Sequence, residues 1–468
     1  SFQLIIMPEY TGATALSSVV NTVNTIIGSG ILVLPYAIRT DGILLGVFVL
    51  LFAGILNGIG MVLQGASSKF LPRGSATFFT VCRITYPNLS VLFDLAIFLQ
   101  CFGVNISYLV LTGDILPLVY TFDGWDTKSM SLFYILISTV LVVPLSLTKK
   151  LDNLRYTSIV ALSSIVYICF LIYCNFIIAV STDYKSIPQD KLGDFSLIKP
   201  QGFKPVCKTF GIIVLAYTCP TQFSIVGELR NPTMKRIAKI TTISMTITAI
   251  LFISVGLSGY LTFGNALEGN ILLMYKNDIF TQTGRALLIL MVILSFPLIF
   301  HPSRVSFNNI YHVMTKKWVD YQRKRTSSGT DDRSPLLPHL SSSFDSADYL
   351  VKMEDEDVPL SNLAFYTISF VLLCGNYTFA ILLNSFELIL AIVGSTGGVL
   401  ISFILPGFYG YKLLASDDDE ISNRLNKYSL EESDNPIFKS KLLKNISLFL
   451  IIWGLIAMVI CLYSSIFE

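Results

Sequence analysis

The chain has 468 residues, of which 53% are hydrophobic and only 14% charged, whereas a soluble domain carries about 25% charge. Lysine and arginine (33) nearly balance aspartate and glutamate (31), leaving a net charge of +2. That composition excludes a water-soluble body of this size, and nothing in the charge balance suggests a nucleic-acid partner. Eight cysteines with no C-x-x-C spacing support neither a disulfide framework nor a zinc site. The three histidines, His301, His312 and His339, are scattered. The chain opens at Ser1 rather than Met, and residues 1–12 read as the remnant of a cytosolic tail.

Apolar runs of ~20 residues read as transmembrane helices, and eleven follow one another. They are Ala13–Ile38, Ile43–Gln64, Leu89–Tyr120, Ser131–Leu147, Thr157–Val180, Val206–Val226, Ile240–Phe263, Thr283–His301, Leu363–Leu383, Phe386–Leu413 and Leu448–Phe467. The expected class is an all-α membrane protein. The first break is Gly28-Ser29-Gly30, where two glycines weaken a helix deep in an apolar run. Segment six carries a second at Tyr217-Thr218-Cys219-Pro220, where proline removes an intrahelical hydrogen bond. Two discontinuous helices five segments apart are the pattern of inverted five-helix repeats around a midplane site. Residues 13–180 form the first repeat, 181–205 a non-cytosolic loop, 206–413 the second repeat and 448–468 helix eleven.

Two polar stretches read as cytosolic loops. One, 312–361, holds serine runs and the acidic run Glu354-Asp355-Glu356-Asp357, a composition that cannot bury a core and reads as disordered. The other, 414–447, starts with Asp417-Asp418-Asp419-Glu420. Lysine and arginine concentrate on one side of the alternating spans, which places the N-terminus in the cytosol and the C-terminus across the membrane. Asp332, Leu336 and Leu337 fit an acidic dileucine sorting pattern that adaptors read for lysosome or vacuole. Four N-x-S/T sequons, at Asn88, Asn105, Asn376 and Asn445, fall inside spans or on the cytosolic side, and none is expected to be used.

Asn24-Thr25-Ile26-Ile27-Gly28-Ser29-Gly30-Ile31-Leu32, followed by Leu34-Pro35-Tyr36-Ala37, closely resembles the first-helix signature of the amino acid/auxin permease family. Ser107-Tyr108-Leu109 with Gly113-Asp114, Phe223-Ser224-Ile225 with Glu228-Leu229, and Gly394-Ser395-Thr396-Gly397 through Leu405-Pro406-Gly407 extend it over all eleven helices. The resemblance is to sodium-coupled neutral amino acid transporters and fungal vacuolar amino acid transporters. It implies a LeuT-type fold of 5+5 inverted repeats plus one, with helices 1 and 6 discontinuous, and free amino acids as cargo. Asn24, Gly28, Ser29, Gly30, Tyr108, Tyr217, Thr218 and Cys219 become the substrate-binding candidates. An asparagine at the position of Asn24 is implicated in the cation site of sodium-coupled members, so Asn24, Ile27 and Ser295 are the coupling-ion candidates. Ser295 stands where threonine is usual, and Pro220 where many relatives carry histidine.

Each candidate has a plainer reading. Ser17, Asn21, Asn24 and Gly28 share a helix face that also suits a packing seam. Asn105, Tyr108 and Thr112 line another such face, and Asp114 lies close to an interface, where a structural role fits as well as a functional one. The sequence reading is a secondary active transporter of amino acids, simplest for neutral ones, across a vacuolar or lysosomal membrane. Its coupling ion is H⁺ in preference to Na⁺, with no resident cofactor or metal. The alternatives are an amino acid sensor signalling through its loops and a sodium-coupled plasma-membrane importer. No nucleophile–base pair or phosphate-binding loop points to an enzyme.

Overall fold

A computed structural model describes residues 12–71, 74–148, 157–198, 200–327, 361–383, 385–414 and 441–467. Among the described residues ten helices are long and apolar enough to cross a membrane. A further bent pair, Ala15–Ile26 with Gly30–Asp41, turns by 60° and makes eleven when counted as one span. In chain order the helices are α1 (Ala15–Ile26), α2 (Leu34–Asp41), α3 (Ile43–Ser67), α4 (Phe78–Thr85), α5 (Ser90–Val119), α6 (Thr127–Ile137), α7 (Thr139–Ser146) and α8 (Thr157–Ser181). There follow α9 (Phe203–Tyr217), α10 (Gln222–Glu228), α11 (Met234–Phe263), α12 (Ile279–Ser327), α13 (Asn362–Leu382), α14 (Phe386–Val393), α15 (Leu405–Leu413) and α16 (Lys441–Ile466).

Both expected interruptions are present, between α1 and α2 and between α9 and α10. Elsewhere the boundaries differ from the sequence reading. α12 continues to Ser327, so residues 312–327, taken as the start of a disordered loop, are helical. Good helix formers such as Lys316, Lys317, Gln322 and Lys324 sustain a helix after the apolar run ends. Residues 328–360, with the dileucine pattern Asp332, Leu336 and Leu337, lie outside the described residues. So do 1–11 and 415–440, while α16 begins at Lys441 rather than Leu448. Helix α4 was not anticipated. Thr77 and Thr80 cap it reciprocally (2.8 and 3.1 Å), and it buries Phe78 edge-on against Phe223 (5.0 Å).

The tenth segment is the packing centre. Between α14 and α15 its backbone runs as two π-turns, Gly394–Gly398 and Leu400–Ile404, a form often found at functional sites. Glycines let neighbouring backbones reach it. A Cβ on Gly394 would lie 2.0 Å from the Gly211 carbonyl oxygen, and one on Gly60 2.0 Å from that of Ser402. Gln64 Nε2 donates to the Ile401 carbonyl (3.1 Å), tying α3 to the second π-turn.

Two fully buried arginines on α12 fasten opposite ends of the bundle. Arg285 donates to the carbonyls of Leu272 and Tyr275 (3.0 and 3.1 Å) and to Asn277 Oδ1, holding the loop before α12. Arg304 donates to the Ser146 carbonyl (3.2 Å) and Ser369 Oγ (3.0 Å) and stacks 3.9 Å from the Phe365 ring centroid. The loop after α8 is laced over the same end as Arg285. Ile43 and Leu44 N–H donate to the Ser196 and Leu197 carbonyls, Gln201 N–H to that of Thr40, and Gly193 N–H to that of Phe263.

The close approach at Gly394 yields a first prediction. Gly394→Ala must push two backbones apart and should destabilise the purified protein by more than ~2 kcal/mol. Gly58→Ala, whose Cβ would meet Met245 Cγ at an ordinary 3.4 Å, should be neutral or slightly stabilising. Thermal unfolding in detergent with a fluorescent thiol probe separates the two. Equal melting temperatures would show that segment ten is loosely packed.

Candidate functional site

The site grows from the two places where helical hydrogen bonding stops. α1 ends at Ile26; Ile27 (φ −75°, ψ 91°) and Gly28 (φ −116°, ψ −156°) are extended, and a 3₁₀ turn, Ser29–Leu32, leads into α2 with Pro35 in its first turn. α9 ends at Tyr217, Thr218 is extended (φ −66°, ψ 128°), and the helix resumes at Gln222. Such ends leave N–H groups of α2 and α10 and carbonyls of α1 and α9 without intrahelical partners.

The two breaks touch. A Cβ built on Gly30 would lie 3.1 Å from Cβ of Ala216, one residue before Tyr217. At Gly28 the opposite holds, because a Cβ there meets nothing within 4 Å. Open space therefore adjoins the first break, next to the half-buried Asn24. Ser17, Asn21 and Thr25 of α1 are exposed, as are Pro220, Thr221, Ser224 and Glu228 on and before α10. On the α2 side the wall is closed, with Ile31, Leu32, Val33 and Leu34 each at most 1% exposed.

The remaining candidates divide. Thr218 Oγ1 donates to the Val214 carbonyl (2.8 Å) and lies 3.0 Å from Ser402 Oγ, joining the second break to the π-turns. Tyr217 is fully buried and packed between Phe252 (ring centroids 4.9 Å) and Gly54, whose Cβ would lie 3.2 Å from its Cζ. It is a wedge between α9, α3 and α11. Cys219 is buried, its sulfur 3.9 Å from Thr221 Oγ1. Tyr108 is 6% exposed on α5, and its carbonyl accepts from Thr112 Oγ1 (2.8 Å). Ser295 is half-buried on α12, and Asp114 lies five residues before the end of α5. Ser29 is placed by its backbone within the 3₁₀ turn.

Several site features escaped the sequence. The π-turns carry no compositional mark; Gly394-Ser395-Thr396-Gly397 and the stretch holding Ser402 stand out only through the family resemblance. Asn105, named with Tyr108 and Thr112, and Asn376, noted only as a sequon, are both fully buried, and the side-chain atoms of both are without protein partners. At its far end α1 is stitched to α10: Ala13 N–H donates to the Glu228 carbonyl (2.8 Å) and Arg230 N–H to that of Ala13 (3.0 Å), a parallel bridge. Val19, Val226, Leu229, Ile237 and Ile240 form a small apolar cluster there, separate from the main core.

Comparison with known proteins supplies a context for this geometry. The family model for the transmembrane amino acid transporter protein matches residues 11–466. Vacuolar amino acid transporter 7 of Saccharomyces cerevisiae is 34% identical, over 97% of this chain and 98% of that protein. Vacuolar amino acid transporter 6 of the same yeast is 34% identical over 97% and 99%. Sodium-coupled neutral amino acid transporter 7 of Danio rerio is 24% identical over 64% of this chain and 65% of that protein.

The contrast between the two glycines is testable. Gly28→Leu fills open space, so the unfolding free energy should stay within about 1 kcal/mol of wild type while stabilisation by an added amino acid mixture disappears. Gly30→Ala crowds Ala216, whose Cβ and Cα lie 3.1 and 3.2 Å from the added Cβ, and should lower the melting temperature by itself. Thermal-shift curves with and without the mixture decide; ligand stabilisation surviving in Gly28→Leu would move the site elsewhere.

Proposed function

The chain belongs to the transmembrane amino acid transporter family, and on that footing we propose that it carries amino acids across a vacuolar or lysosome-like membrane by alternating access. The observation that carries the reading is the meeting of two broken helices, with open space at Gly28 on a polar face of α1. A zwitterion needs donors for its carboxylate and acceptors for its ammonium. The N-termini of α2 and α10 offer N–H groups with favourable dipoles, and the C-termini of α1 and α9 offer carbonyls. Asn24, Gly28, Ser29, Gly30 and Thr218 take the substrate. Tyr217 holds the break in place from behind, and Tyr108 and Cys219 belong to the wall. The breaks' spacing supports a LeuT-type inverted repeat.

Neutral amino acids are the simplest cargo, because neither break carries an acidic or basic side chain. Coupling to H⁺ is favoured by the likeness to vacuolar transporters and by serine, not threonine, at position 295. In a Na⁺-coupled cycle Asn24, Ile27 and Ser295 would hold the ion. The basic bias of the loops places the N-terminus in the cytosol and the C-terminus in the lumen. In an acidic compartment the proton gradient would then drive export to the cytosol. Asp332, Leu336 and Leu337 fit an adaptor-binding signal for that membrane.

Proteoliposomes of the purified chain, given the twenty amino acids and an imposed pH gradient, test this by mass spectrometry. A subset should accumulate, collapse of the gradient by protonophore should abolish accumulation, and Asn24→Ala should cut the rate about tenfold, the loss of one polar contact made at the site. Accumulation that ignores the protonophore but follows Na⁺ would replace H⁺ by Na⁺. Binding without flux under either gradient would turn the chain into a sensor.

A further inference from the structure

On the outer surface of the bundle, α3, α11 and the start of α16 enclose an apolar groove of about 510 Å³, within the size range of small-ligand sites. Gly54 and Gly58 form its floor, Thr242, Thr246 and Ile253 one wall, and Leu443 its end. Its flanks expose Ile55 and Ile250, so in a membrane-spanning protein the groove opens toward lipid. From Thr242 to Ile253 it runs eleven residues of helix, about 16 Å at 1.5 Å per residue, close to half of a ~30 Å hydrocarbon core. The groove therefore has the depth of one leaflet.

Its polar end is built for negative charge. Lys239 precedes Thr242 by three residues and Lys235 precedes Lys239 by four, so both lysines continue the face of α11 that lines the groove. Both are exposed and neither has an ion-pair partner among the described residues. Lys239 sits about 4.5 Å beyond Thr242 along the helix and Lys235 about 10 Å beyond it, at the level of phospholipid headgroups. Basic residues at the mouth of a groove between transmembrane helices recognise anionic headgroups.

We propose that this groove is a site for one anionic phospholipid, its acyl chain lying over Gly54 and Gly58 and its phosphate held by Lys235 and Lys239. The occupant has a route to the helix breaks. Gly54 lies against the Tyr217 ring from the other side. Thr241, also lining the groove, accepts from Gln222 Nε2 (3.4 Å) at the first residue of α10. A chain filling the groove braces the α3–α11 wall on which both rest.

Native mass spectrometry of the purified chain, with equimolar phosphatidylserine and phosphatidylcholine of the same chains added, tests this without depending on transport. The wild type should retain one phosphatidylserine at least about tenfold better than phosphatidylcholine, in line with two basic residues near a headgroup. Lys235→Gln/Lys239→Gln, two surface changes that leave packing alone, should erase the preference but keep a background of either lipid. Gly58→Leu should remove the retained lipid whatever its headgroup. Equal retention of both lipids by the wild type, or an intact preference in the double lysine variant, would overturn the proposal. So would undiminished retention in Gly58→Leu.

Discussion

Inside a bilayer a backbone N–H or C=O that loses its helical partner finds no water to replace it, and irregular chain survives only where protein or a filled cavity covers it. This fold breaks two helices at the same depth and so exposes itself to that cost twice. Much of the surrounding structure reads as its containment. The breaks are pressed together at Gly30 and Ala216 until backbone nearly touches backbone. Thr218 folds its hydroxyl back onto the Val214 carbonyl, an acceptor of the last turn of α9, and leans on Ser402. Segment ten supplies that serine, and its own irregular turns are covered in turn by Gln64 and by the glycine faces of α3 and α9. What remains uncovered is the space at Gly28, where a Cβ would meet nothing within 4 Å.

The parts of this arrangement visible in the sequence are those written in residues with unusual backbones. Gly28-Ser29-Gly30 and Cys219-Pro220 announce a break by their own chemistry, whatever surrounds them. Spans likewise announce themselves, because twenty apolar residues have few other uses. The π-turns of segment ten do not, since one extra residue per turn changes register without changing composition. Tyr217 looked like a ligand for the reason that it sits at a break. Its neighbours Gly54 and Phe252 come from helices about 160 residues before it and about 35 after, and no local pattern says they fill the space around its ring.

Buried arginines show the same limit from another side. Arg285 lies in segment eight, legible by its hydropathy and by Ser295, and Arg304 lies three residues beyond that segment's expected end. Both are fully buried and donate to carbonyl and side-chain oxygens, although Arg304 Nε has no hydrogen-bond partner. They are nineteen residues apart, about 28 Å along α12. That is comparable to the thickness of a hydrocarbon core, and between them α12 carries no aspartate, glutamate, lysine or arginine. Charge at a span's ends is cheap when carbonyls from loops or helix ends are within reach, which is what the loop at 271–277 and the end of α7 provide.

The two halves of the first broken helix are held unequally. α2 is embedded in the main core: Leu34, Ala37 and Ile38 have no exposed surface, and Thr40 is bonded through its backbone to the loop after α8. α1 reaches that core only near its end, through Val23 and Ile26, and otherwise rests on the small cluster of Val19 with Val226, Leu229, Ile237 and Ile240, exposing Leu16, Val20, Asn21 and Thr25. Fewer buried contacts mean a smaller free energy of local opening. At the junction, Gly28 has no side chain packed against it, since a Cβ there would meet nothing within 4 Å. The bridge from Ala13 to Glu228 and Arg230 ties α1 to α10. The outer ends of the two broken helices are thus joined to each other, while Ile26 of α1 and Phe223 and Ile225 of α10 still reach the core that holds α2 and α9.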